Sequence, residues 1–182
     1  MALRAQKHYR IDPQISINRR VDSGSIKFKE IFGGFENLEA VKAIFGKATD
    51  KVLDELKVEV FPRKGFMGVS DEDGHVFASK YYLNEGEEWS VYLDAVHELV
   101  HVRQFKEGKN LFDNAFAYVD RPTEVEAYRM TVQEARRIGL NEQEIFDYLE
   151  VPWITGAEHV RLAKACNVDL DFALMENKGK PT

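Results

Sequence analysis

Three features of the sequence predict an α+β fold. Residues 37–56 carry apolar side chains at three- and four-residue spacing, the mark of a helix with one packed face. Residues 57–84 alternate instead, in short β-type runs broken by Pro62 and by Asp71-Glu72-Asp73-Gly74. Residues 89–139 return to helical periodicity in two long stretches. With 182 residues and 44% hydrophobic content the chain can bury a core without staples, and a single domain over 1–182 is expected.

Residues 1–35 form an N-terminal arm in which Ile11, Ile15 and Ile17, then Ile26, Phe28, Ile31, Phe32 and Phe35, read as short strands or as a segment laid over the body. Asn37 is the expected cap of a helix in which Leu38, Val41, Ile44, Phe45, Ala48, Val52 and Leu56 face the core. Val58–Phe61, Phe66–Val69 and His75–Asn84 read as three strands. The Asp-Glu-Asp-Gly run between the last two fits a hairpin turn, because it lacks the alternating oxygen ligands and closing glutamate of a calcium loop. Lys106–Asp120 is a loop whose Leu111, Phe112, Phe116 and Tyr118 give it an apolar underside fit to wall a cleft. In 140–172, Asn141 caps a short helix that Pro152 closes and Thr155 opens another, and Asn177–Thr182 is a loose tail.

Charge and cysteine use restrict the partners. A net charge of −6 with no basic stripe argues against nucleic acid and favours a peptide or protein partner. The single Cys166 makes no internal disulfide, which fits a reducing compartment. No apolar stretch is long enough for a membrane span, and Met1–Asp12 lacks the apolar core of a signal peptide, so a cytoplasmic location and no membrane partner are expected.

The chemistry concentrates in His97-Glu98-Leu99-Val100-His101. On a helix, residues four apart share a face, so both imidazoles can reach one zinc ion. Glu98 lies one residue's rotation round, wrong for a ligand and well placed to take a proton from water. A solvated pair of histidines on an amphipathic helix is the plain alternative, but both lie beside the stripe of Leu93, Val96, Val100 and Phe105 and not opposite it. A zinc site of this kind needs a third protein donor and an open position. Pro122 and Thr123 begin a helix that Gly139 ends. Glu124 shares its one apolar face with Ala127, Tyr128, Thr131, Ala135 and Ile138, whereas Glu126 points away and completes a Thr123-x-x-Glu126 capping box. A carboxylate on a packing face needs a partner, so Glu124 is the expected ligand and Glu126 the runner-up.

The motif followed by Glu124-Val125-Glu126-Ala127 resembles the gluzincin metallopeptidases, and among them the small minigluzincins. The resemblance covers roughly residues 57–138. It implies a catalytic core in which a small twisted, mostly antiparallel sheet packs against the histidine helix and the glutamate helix, here with extra C-terminal helices. It implies Zn2+ held by His97, His101 and Glu124, with Glu98 as general base in peptide-bond hydrolysis, first accepting a proton from water and then passing it to the leaving amine. Many gluzincins carry an aspartate four residues after the ligand glutamate, where this chain has Tyr128; Asp94 and Asp120 are the candidates for that orienting role. Tyr118 and His159 are weaker candidates for stabilising the transition state, His159 reading first as a surface or packing residue. The edge strand nearest the histidine helix, Val76–Leu83, is expected to bind extended substrate by strand addition. The form H-E-L-x-H-x-x-Q also resembles peptidase domains of bacterial toxins. The alternatives from other classes are a zinc-stabilised protein-binding module without turnover and an interaction protein in which the motif is accidental.

Overall fold

The computed structural model describes residues 9–171, so the expected tail at 177–182 and the first eight residues of the signal-peptide reading lie outside the described residues. The chain folds as α+β. In order come β1 (Ser16–Ile17), β2 (Gly24–Lys27), α1 (Phe28–Ile31), β3 (Phe32–Gly33), α2 (Glu39–Phe45), α3 (Thr49–Glu55), β4 (Lys57–Phe61), β5 (Met67–Val69) and β6 (Val76–Ser79). Then follow α4 (Lys80–Glu85), α5 (Glu88–Lys106), α6 (Pro122–Ile138), α7 (Glu142–Tyr148) and α8 (Gly156–Ala165). The main sheet runs β2-β4-β6-β5, with β2/β4 and β5/β6 antiparallel and β4/β6 parallel.

Three departures from the sequence reading have local causes. The helix expected over 37–56 is two helices, because Gly46 at φ 57° and ψ −132° ends α2 and a 3-10 turn over Gly46–Ala48 resets the chain into α3. Nor does Asn37 cap it; residues Phe35–Asn37 form a 3-10 turn and Leu38 stands at the N-cap with no side-chain bond. The strand expected over 75–84 stops at Ser79, whose hydroxyl accepts the Tyr82 backbone N–H at 3.3 Å and caps α4. A fourth departure is not local: the strand expected at the edge is internal, β6 lying between β4 and β5, and β5 is the edge on the α5 side.

Residues 24–35 do more than overlie the body. β2 forms the far edge of the sheet against β4, and Phe28, Phe32 and Phe35 are fully buried. Their rings meet at centroid distances of 4.8–5.7 Å, and Phe35 reaches Tyr92 of α5 at 5.4 Å. These rings and the α5 side chains belong to one buried cluster that runs from Val21 to Val168.

α5 is the central element. It packs against α6, α2 and β5, and Val91 to Val102 are buried in every position except Asp94. A single apolar stripe was expected; the helix is enclosed on almost all sides, so His97, Glu98 and His101 are polar groups inside the core. α6 starts with Pro122 at its first position and ends at Gly139, whose φ of 99° is the left-handed cap that glycine adopts without strain. The capping boxes at Asn141/Glu144 and Thr155/Glu158 start α7 and α8. Among the described residues no helix is long and apolar enough to cross a membrane.

Candidate metal site

Two helices bring three donors to one point. His97 and His101 project from the same face of α5, and Glu124 in the first turn of α6 meets them; all three are buried. His97 Nε2 and His101 Nε2 are 3.0 Å apart, and Glu124 Oε2 lies 3.5 Å from each. Donors about 2.0–2.1 Å from a tetrahedral ion stand about 3.3–3.5 Å from one another, so the triangle is near the size a metal requires. Glu124 Oε2 and His97 Nδ1 are buried without a hydrogen-bond partner, a cost that a cation between the donors removes for the carboxylate. The group can hold a metal ion.

The opposite edge of His101 is fixed by a residue that the sequence reading gave no role. Gln104, fully buried one turn further along α5, places Oε1 2.7 Å from His101 Nδ1. Its Nε2 meets Thr123 O at 2.9 Å and Glu126 Oε2 at 2.8 Å. Both are acceptors, so the amide has only one sensible orientation, and the Nδ1–H of His101 must donate to Gln104 Oε1. His101 Nε2 is thereby the atom that faces Glu124 with a lone pair or an exchangeable proton, as a metal ligand must.

Glu126 anchors this chain. It accepts from Arg103 and Lys109 as well as from Gln104, and those contacts hold its carboxyl below the usual range against the opposing effect of burial. The expected Thr123/Glu126 capping box is absent; Arg121 is the N-cap and no side chain bonds there. Glu126 left its capping position because these partners stand on α5 and the following loop, beyond the reach of a local pattern. The interaction fixes an ambiguity too: Glu124 joins the histidines, and Glu126 supports one of them from behind.

The electrostatics of the group call for positive charge at its centre. Burial disfavours the ionised Glu124, yet the two imidazoles outweigh it and hold the carboxyl far below its ordinary range. Burial also opposes the imidazolium of His101, but Glu124 and Glu98 prevail and raise it from 6.5 to about 9. Without metal, that imidazolium contributes stability fully below about pH 6.5, and the contribution is lost as pH rises through about 9. A metal must displace the Nε2 proton of the folded protein, so apparent affinity is expected to rise about tenfold per pH unit as pH climbs towards about 9 and then to level off. Chelator competition at several pH values measures that slope; a flat profile would show that His101 releases no proton on binding.

Glu98 differs from its neighbours. It is buried, accepts no hydrogen bond among the described residues, and lines both cavities that flank the donor group, of 390 and 170 Å³. Burial raises its carboxyl pKa, with His97 and His101 opposing. Tyr118 also lines both cavities, and its hydroxyl is 2.9 Å from that of Tyr128, whose ring packs on His97 at a centroid distance of 4.3 Å. Burial pushes both phenols well above their usual range, so they stay neutral donors.

The other candidates separate. His159 is buried against Phe146, its ring stacked at 3.9 Å and its Nε2 2.7 Å from Phe146 O, and it lines neither cavity. Asp120 pairs with Arg161 at 2.8 Å, away from the donors. Asp94 lines the larger cavity but accepts the hydroxyls of Tyr82 and Tyr148, with no bond to His97. Among the described residues no carboxylate orients His97, whose Nδ1 has no partner and whose ring packs on Tyr128, whereas Gln104 holds His101 from behind. Gln104 and the cavity residues Tyr82, Tyr148 and Trp153 carry no sequence signal beyond the glutamine three residues after His101. Comparison of the chain with protein families, with curated proteins and with solved structures finds no match.

Proposed function

We propose that the chain is a zinc-dependent peptidase of gluzincin type. The observation that carries this reading is Glu98: a carboxylate buried without a hydrogen-bond partner, next to a two-histidine, one-glutamate donor set and open to two cavities. Two imidazoles and one carboxylate with room for a fourth partner match catalytic zinc more closely than the closed sets of structural zinc. When bound, zinc supplies a Lewis acid that brings water's pKa to about 7.

The chain's own residues supply the remaining parts. Glu98 holds a proton at its carboxyl oxygen between water and the leaving amine, and the burial that raises its pKa brings it nearer the pH at which such transfers are efficient. Tyr118, facing both cavities, offers a hydroxyl to the carbonyl oxygen as charge develops there. The free edge of β5 runs beside both cavities through Met67 and can pair with an extended peptide backbone. A reducing location such as the cytoplasm belongs to the same proposal. Its support is the single Cys166, which is buried and whose thiol burial pushes up to about 11, leaving it inert.

Purified protein is expected to hold about one zinc per chain, and chelation to lower its melting temperature. Elemental analysis with melting curves before and after chelation checks both. Metal-free protein with unchanged melting would remove the zinc site, and stoichiometric zinc without cleavage of an unstructured protein pool would make the chain a metal-stabilised binding module.

A further inference from the structure

Resting on the peptidase reading, we infer that the larger cavity is a subsite for an arginine or lysine side chain of the substrate. The two cavities share His97, Glu98, Tyr118, Met67 and Trp153, so they lie on either side of the reacting position, and their linings differ in kind. The 170 Å³ cavity is walled by Val69, Phe77, Leu111 and Phe112 and suits an apolar group.

The 390 Å³ cavity combines rings with carboxylates. Asp94 and Glu98 lie inside it and Asp147 and Glu150 stand exposed where it meets solvent, while among the described residues no lysine or arginine lines it. The Asp94 carboxylate is committed to Tyr82 and Tyr148, and Asp147 accepts one bond from Gln143 at 2.7 Å. Glu150 has no side-chain partner among the described residues, and neither has Glu98, which is only 7% exposed. An acidic mouth alone would be a solvated surface. Here it opens onto aromatic faces, with Trp153 5.8 Å from Phe66 and 5.7 Å from Tyr118, and Trp89 6.1 Å from Tyr148. A long side chain with an apolar stem and a cationic head satisfies both parts, the stem on the rings and the head between ring faces and carboxylates. An acidic side chain would meet four carboxylates, and a neutral one would gain no attraction from them.

Both tryptophans of the chain line this cavity, so their fluorescence reports its filling. The zinc-loaded protein would be titrated with N-acetyl-arginine amide and with N-acetyl-citrulline amide, nearly the same shape without the charge. Arginine amide is expected to bind about tenfold or more tightly, and the exposed double replacement Asp147→Asn, Glu150→Gln to reduce the preference to about twofold or less. Equal affinity for the two probes in the wild type, or an unchanged preference in the variant, overturns the subsite. These titrations need no turnover, so the two readings fail separately. Arginine preference without hydrolysis supports the subsite and removes the peptidase, whereas hydrolysis without arginine preference does the reverse.

Discussion

Glu98→Gln is expected to keep about one zinc per chain and wild-type melting, and to lose about 100-fold or more in the rate of peptide hydrolysis. The carboxamide has nearly the same shape and fits the same buried place, and Glu98 is not among the converging donors. What it loses is the ability to accept a proton, and general-base transfer contributes roughly 10²–10⁴-fold. Because the carboxylate has no hydrogen-bond partner among the described residues, the replacement breaks no network and the effect on stability should be small. Metal analysis, melting and turnover on one preparation separate the outcomes. Equal rates for wild type and variant would sink the general-base role, and loss of zinc from the variant would mean that Glu98 is itself a ligand.

The second large effect divides the two glutamates of α6. Glu124→Gln removes a donor from the group and should weaken zinc by about 100-fold or more, beyond the roughly 10- to 100-fold loss typical of groups that only orient a ligand. Gln104→Met should cost about 10-fold, because the Nδ1–H of His101 then has no acceptor and its ring is free to turn. Glu126→Gln should cost less than either, since Thr123 O still holds the Gln104 amide in its orientation. Zinc affinities of the three variants, measured by competition at one pH, test the order. A larger loss from Glu126→Gln than from Glu124→Gln would reverse the assignment of ligand and support.

What was legible in the sequence was what depends on neighbours along the chain. The i, i+4 histidines and the position of Glu124 on the apolar face of α6 follow from helical periodicity, and the structure brings those three together. Pro122, Gly139, Asn141 and Thr155 mark helix ends by backbone chemistry that acts within one turn, and each is found where expected. The failures need distant partners or compete locally. Gly46 divides a helix whose apolar spacing continues unbroken across it, and Ser79 converts the end of a strand into a helix start although Tyr81, Tyr82 and Leu83 suit either. Glu126 satisfied a capping pattern in sequence and was drawn instead to Arg103, Gln104 and Lys109, none of which the pattern includes.

The brevity of β5 has a bearing on solubility. An open sheet edge is a template on which copies of a chain can polymerise, and long, flat, apolar edges are the hazardous ones. β5 offers only Met67, Gly68 and Val69, between the exposed Arg63 and Lys64 on one side and Asp71, Glu72 and Asp73 on the other. Three residues bounded by opposite charges give a second sheet little to pair with. That edge is therefore a poor template for pairing with a second copy of the chain.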